Sequence, residues 1–173
     1  MKLFCRLCRL GVFILIVLSH FATEARGEGF ANILPDFSLQ DPAGQTHTKK
    51  EIVQQGVVIL VTAPIFKNKG AQEGWSKYLS DEKKGAKGHL IFLEDLSVSS
   101  FKTMALHGMK KDYKIDIEPI LLIDETGQLR QQLGVLAEQN VVLVYNSKGQ
   151  LIYQETGKPS PSSAQEIWKV LGR

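Results

Sequence analysis

The apolar residues of this chain gather in short dense runs, separated by segments whose apolar positions recur at helical spacing. Val57–Ala63 (VVILVTA), His89–Glu94 (HLIFLE) and Pro119–Ile123 (PILLI) are nearly unbroken runs of large aliphatic and aromatic residues. Such runs are expected of strands buried on both faces of a sheet. Val141–Tyr145 and Leu151–Gln154 flank Asn146-Ser-Lys-Gly149, which predicts a hairpin. A shorter strand is predicted over Phe37–Gln40, closed by the turn residues Asp41-Pro-Ala-Gly44.

The intervening segments read as helices. Thr48-Lys-Lys-Glu51 has the spacing of a capping box and opens a short helix that stops at Gly56. After a loop over Pro64–Gly70, residues 71–84 carry Trp75, Tyr78 and Leu79 on one helical face. Residues 99–113 form the next helix, with Phe101, Met104, Ala105, His107 and Met109 available for packing. The turn Asp124-Glu-Thr-Gly127 leads to a short helix over 128–133 that ends at Gly134. The last helix takes Ser160 as N-cap and Pro161 at its first position, and is expected to bury Ile167, Trp168 and Leu171. Strand and helix alternate and then close on a hairpin and a helix. This order predicts an α/β fold with a mixed central sheet and helices on both faces.

The first residues change how composition is read. Lys2, Arg6 and Arg9 precede the apolar run Leu10–Leu18, and a small-residue stretch follows. That run is shorter than the roughly 20 apolar residues a spanning helix needs. Residues 1–25 therefore read as a signal peptide, cut after Ala25 or Gly27, and 26–173 as a single domain. The expected location is periplasmic or secreted, with no stable membrane span after cleavage. Beyond residue 25 the chain holds 18 Lys+Arg against 17 Asp+Glu, so the basic excess of the whole sequence belongs largely to the leader. Such a balance argues against nucleic acid as a partner. The only cysteines are Cys5 and Cys8. Their spacing matches a thiol redox pair, but they precede any strand or helix that could present them. The chain from residue 26 onward is cysteine-free.

The order of elements, together with particular segments, resembles the thioredoxin-like superfamily, in its redoxin and peroxiredoxin-like branch. Leu34-Pro-Asp-Phe-Ser-Leu39 is similar to the opening of redoxins, and Gly56-VVILV to the strand leading to their active site. PILLIDETGQLRQQLGV (Pro119–Val135) is similar to a later strand–turn–helix unit, and NVVLVYNSKGQLIYQETG (Asn140–Gly157) to the closing hairpin. The resemblance implies a thioredoxin-like fold over nearly all of residues 26–173. It also locates the departures. Redoxins carry a reactive cysteine in the loop and first helical turn after the central strand, where this chain has Lys67, Asn68, Lys69, Gly70 and Ala71. Where the superfamily has a cis-proline before the closing hairpin, this chain has Gln139 or Asn140. Lysine and glycine cannot supply the sulfur nucleophile. Cysteine-free redoxin relatives include the YtfJ-like group of small periplasmic proteins, which the C-terminal third resembles most.

Met104, His107 and Met109 offer thioether and imidazole donors suited to Cu(I), and copper carriers occur among exported thioredoxin-like proteins. Those carriers have a cysteine pair that is missing here, and Met109 lies well round the helix from His107. His47 and His89 lack ligand spacing to any other histidine. Lys67 and Lys69, near a helix N-terminus, could meet an anion or an acidic partner. Glu94-Asp95 and Asp124-Glu125 end strands, where acids usually serve as caps. No Ser–His–Asp order, phosphate loop or dinucleotide fingerprint is present. The expected function is that of a non-catalytic binding or accessory module of the cell envelope, with no cofactor. Its partner would be an envelope protein held around Lys67, Asn68, Lys69, Gly70 and Gln139. A periplasmic copper-handling role, or a degenerate redoxin with residual activity, is the alternative.

Overall fold

A computed structural model describes residues 29–62, 69–82, 88–113 and 119–172. The expected leader, and with it Cys5 and Cys8, lies outside the described residues, as do Lys67 and Asn68. Seven strands form one mixed sheet: β1 (Ser38–Gln40), β2 (Thr46–Thr48), β3 (Val57–Thr62), β4 (Gly88–Asp95), β5 (Ile120–Asp124), β6 (Val141–Tyr145) and β7 (Leu151–Thr156). Five helices accompany them: α1 (Lys49–Gln54), α2 (Lys69–Glu82), α3 (Lys102–Asp112), α4 (Gln128–Gln132) and α5 (Pro161–Val170).

The spatial order of strands is β2-β1-β5-β4-β3-β6-β7. β3, β4 and β5 run parallel at the centre, while β6 and β1 pair antiparallel on either side. Each parallel connection passes through a helix, as the geometry of parallel pairing requires.

Strand parity sorts the core into two layers. Val58 and Leu60 of β3 face one side with Ile91, Leu93, Leu122, Leu143 and Tyr145, covered by Ile52 of α1 and Leu129 of α4. Ile59 and Val61 face the other, against Trp75 and Leu79 of α2 and Ile167 and Trp168 of α5. Each fully buried large side chain contributes about 1.5–3 kcal/mol relative to its exposed state, so the two layers are the main source of stability. Thr48 and Glu51 form the expected capping box: the Glu51 amide donates to Thr48 Oγ1 (3.3 Å), and Glu51 Oε2 accepts from the Thr48 amide (3.0 Å). Ser160 accepts from the Ser163 amide ahead of Pro161.

Four expectations need correction. A strand, β2, occupies Thr46–Thr48, where only a turn and the start of a cap were expected, and pairs antiparallel with β1. α2 begins at Lys69, so Lys69 and Gly70 form its first turn instead of ending a loop. Phe101 at the N-cap of α3 (60 % exposed) and Met104 within it (64 % exposed) lie in solvent instead of packing, and none of the described side chains of α3 is buried. Leu171 is only partly buried, at the margin of the second layer.

Candidate functional site

The parallel strands end together at Thr62, at Glu94-Asp95 and at Asp124. Thr62 pairs there with Val141 at the start of β6. The N-terminus of α2 and the segment before β6 also belong to this end of the sheet. Residues 63–68, which precede α2, lie outside the described residues.

Four polar side chains at this end are buried, and they divide sharply by role. Asp124 is fully buried, and its carboxylate accepts from the amides of Gln128 and Arg130 (3.0 Å each). It thereby caps α4, whose N-cap position is taken by Gly127 in the left-handed conformation (φ +72°), with no side chain to offer. Asp95 accepts from the Ser97 amide at 2.7 Å and is ion-paired with Arg130, whose Nη1 also donates to the Val135 carbonyl (2.6 Å). These two acids are structural, as expected of strand-end acids.

Glu94 is different. It lies on the opposite face of β4 from Asp95, is only 6 % exposed, and has no hydrogen-bond partner for Oε2. Burial pushes its carboxyl up from 4.5 to about 7, against a smaller opposing effect of the neighbouring Gln72 side chain on α2. Thr62 Oγ1 and Asn140 Oδ1 are likewise buried without a partner. The sequence marks Glu94 as one more strand-end acid; only its facing, fixed by strand parity, separates it from Asp95.

On the Asp95 side of the strand ends is a small recess of about 10 Å³ lined by Thr62, Asp95, Arg130, Val98, Leu136 and Gln139, among others. Gln139 Oε1 accepts from the Leu136 amide at 3.0 Å, closing the turn that leads to β6. Val98 (52 % exposed) and Leu136 (67 % exposed) stand on its rim. Of the residues that the sequence pointed to here, Gln139 lines the recess, Lys69 and Gly70 form the first turn of α2, and Gly70 has open space where a Cβ would stand.

Met104 and His107 are exposed on α3 one turn apart, and Met109 is partly buried. Helical geometry turns Met109 about 140° from Met104 and 160° from His107, so the three do not converge. Among the described residues, no group of three or more His, Cys, Asp or Glu side chains is placed to hold a metal ion.

A second cavity, of about 500 Å³, opens at the opposite end, beside the N-terminal ends of β4 and β5. His47 and His89, which the sequence leaves unrelated, both line it, with Asp41, Glu51, Gln55 and Tyr113. Asp41 is 3 % exposed and organises its side of the cavity. Oδ1 accepts from the Ala43 and Gln45 amides (2.9 Å each), and Oδ2 meets His47 Nε2 at 3.2 Å and Tyr113 Oη at 3.1 Å. Burial raises the Asp41 pKa, but bonds from His47, Gln45 and Tyr113 outweigh it and leave it below the usual carboxylate range. An ionised carboxylate can only accept, so the hydrogen of the contact lies on His47 Nε2. His89 Nε2 meets Gln55 Oε1 at 2.7 Å. The signal for this cluster lay in the Asp41 turn followed by the Thr46-His47-Thr48 alternation.

No protein-family model and no curated protein matches the chain. Solved structures do. The peroxidoxin BcpB from Mycobacterium tuberculosis is 17 % identical with a TM-score of 0.57, over 83 % of this chain and 94 % of that one. StoA from Bacillus subtilis is 12 % identical with a TM-score of 0.61, over 82 % and 99 %. BsSco, a member of the Sco family of cytochrome c oxidase assembly proteins, is 11 % identical with a TM-score of 0.61, over 84 % and 95 %. The fold is thioredoxin-like, an α/β fold with a mixed central sheet, as expected from the sequence; the sheet has seven strands, one more than the sequence led one to expect.

Proposed function

We propose that this chain is a non-catalytic member of the thioredoxin-like superfamily, allied to the YtfJ-like group, that holds a protein partner in the bacterial cell envelope. The observation that carries the reading is the exposed apolar rim of Val98 and Leu136 beside Gln139. It stands at the strand ends of a chain that has no cysteine after Cys8. A thiol enzyme needs a sulfur nucleophile at this end of the fold; here the corresponding stretch reads Lys67-Asn-Lys-Gly-Ala71. A scaffold that keeps its packing and presents apolar side chains at these strand ends suits recognition of a partner surface with apolar groups, and Lys67 and Lys69 in the sequence before and at the start of α2 would favour acidic ones. The expected export, to a periplasmic or secreted location, supplies the compartment.

The test is crosslinking of the chain in a native envelope extract, read by mass spectrometry, with three proteins in parallel. These are the wild type, Leu136→Asp, and the charge-reversed Lys67→Glu/Lys69→Glu. One recurrent partner held by the wild type and lost by both variants is the expected result. Equal capture by all three, or no recurrent partner, would sink the proposal.

A further inference from the structure

Beyond that reading, and independent of it, we infer that the cavity bounded by Asp41, His47, Glu51, Gln55, His89 and Tyr113 binds a small organic cation, a protonated amine or guanidinium on a short carbon body. Its volume of about 500 Å³ falls in the range of small-molecule sites. The chemistry of the lining selects the class. Asp41 is buried and ionised, and its four hydrogen bonds lock its position while its charge remains in the wall.

Glu51 is the second anion. Its Oε2 is committed to the amide and hydroxyl of Thr48, while Oε1 makes no hydrogen bond with the described residues. With the hydrogen on His47 Nε2 held by Asp41, His47 Nδ1 is an acceptor when the ring is neutral, and it too makes no hydrogen bond with the described residues. The unspent groups of these two residues therefore accept hydrogen bonds, and a ligand that brings N–H donors and positive charge completes them. Ile52 and Ile120 also line the cavity and supply apolar surface for a carbon body. A bare metal ion fits less well, because no three ligating side chains converge among the described residues.

The experiment is an NMR titration of the ¹⁵N-labelled protein at about pH 8 with agmatine and 1,4-diaminobutane. Matched probes are 1,4-butanediol and succinate. Saturable shifts at Gln45, His47, Gln55 and His89 are expected with the two cations, and none with the diol or the diacid. Glu51→Gln removes one charge while glutamine still suits the third position of the capping box, so the helix start survives. It should weaken cation binding about three- to fivefold, as loss of an exposed charge contact does. His47→Phe, which removes the acceptor, should weaken it further. Shifts of equal size with the diol, preference for the diacid, no saturable response, or undiminished binding by both variants would each overturn the inference.

Discussion

Glu94 and Asp95 leave the same strand toward opposite faces of the sheet, and their carboxyls meet different surroundings. Asp95 finds Arg130 and the Ser97 amide, so its charge is compensated. Glu94 finds apolar neighbours and Gln72, which leaves desolvation as the largest influence on it. Its folded-state value of about 7 stands above the ordinary 4.5, so the folded chain keeps a proton that the unfolded chain releases. Stability from this group is therefore complete below about pH 4.5 and is lost as pH rises through about 7. The loss is on the order of 3 kcal/mol. Urea denaturation at pH 5 and pH 8 should show the wild type losing that much more than Glu94→Gln, which has no such proton to lose. Equal pH dependence in the two proteins would contradict the assignment. Nothing in the sequence distinguishes these adjacent acids, because the distinction needs both strand parity and a partner 35 residues away.

At the scale of elements, most of the fold was legible because the buried strands β3 to β6 are written as uninterrupted apolar runs and the caps of α1 and α5 are local. The misreadings share a cause. β2 is Thr-His-Thr, with no apolar residue to mark it, and its pairing with β1 is visible only once the Asp41 turn has brought the two together. Phe101 at the N-cap of α3 and Met104 one turn on read as a packing face, yet both lie in solvent. Sequence periodicity reports which apolar residues share a helix face, without reporting whether anything covers it. α4 is the element most dependent on one distant side chain, since its first amides are satisfied by Asp124 from the end of β5. Asp124→Ala should cost about 1–3 kcal/mol by leaving these donors unpartnered in a buried setting. Chemical denaturation should show a lower midpoint at unchanged slope, the signature of lost stability without a change in the surface exposed. A loss below about 0.5 kcal/mol would mean that water replaces the cap without difficulty.

Across the whole molecule, the two candidate sites stand at opposite ends of the parallel strands. The apolar rim of Val98 and Leu136 is at their C-terminal ends, and the acceptor-rich cavity of His47 and His89 is beside their N-terminal ends. The strands between them are packed on both faces by buried aliphatic side chains. Packed interiors resist continuous deformation and transmit a change only where two discrete arrangements exist. The two ends are therefore expected to act independently. Leu136→Asp should leave agmatine-induced shifts at His47 and Gln55 within about twofold of the wild-type titration, because mutations at separate sites without shared partners add. Reciprocally, Glu51→Gln should leave the crosslinked yield of the proposed envelope partner unchanged. The mutual dependence of coupled sites is a thermodynamic requirement, so a shift in one direction obliges a shift in the other. If either variant moved the distant readout by more than tenfold, the sheet would have to be treated as a two-state element linking partner to ligand.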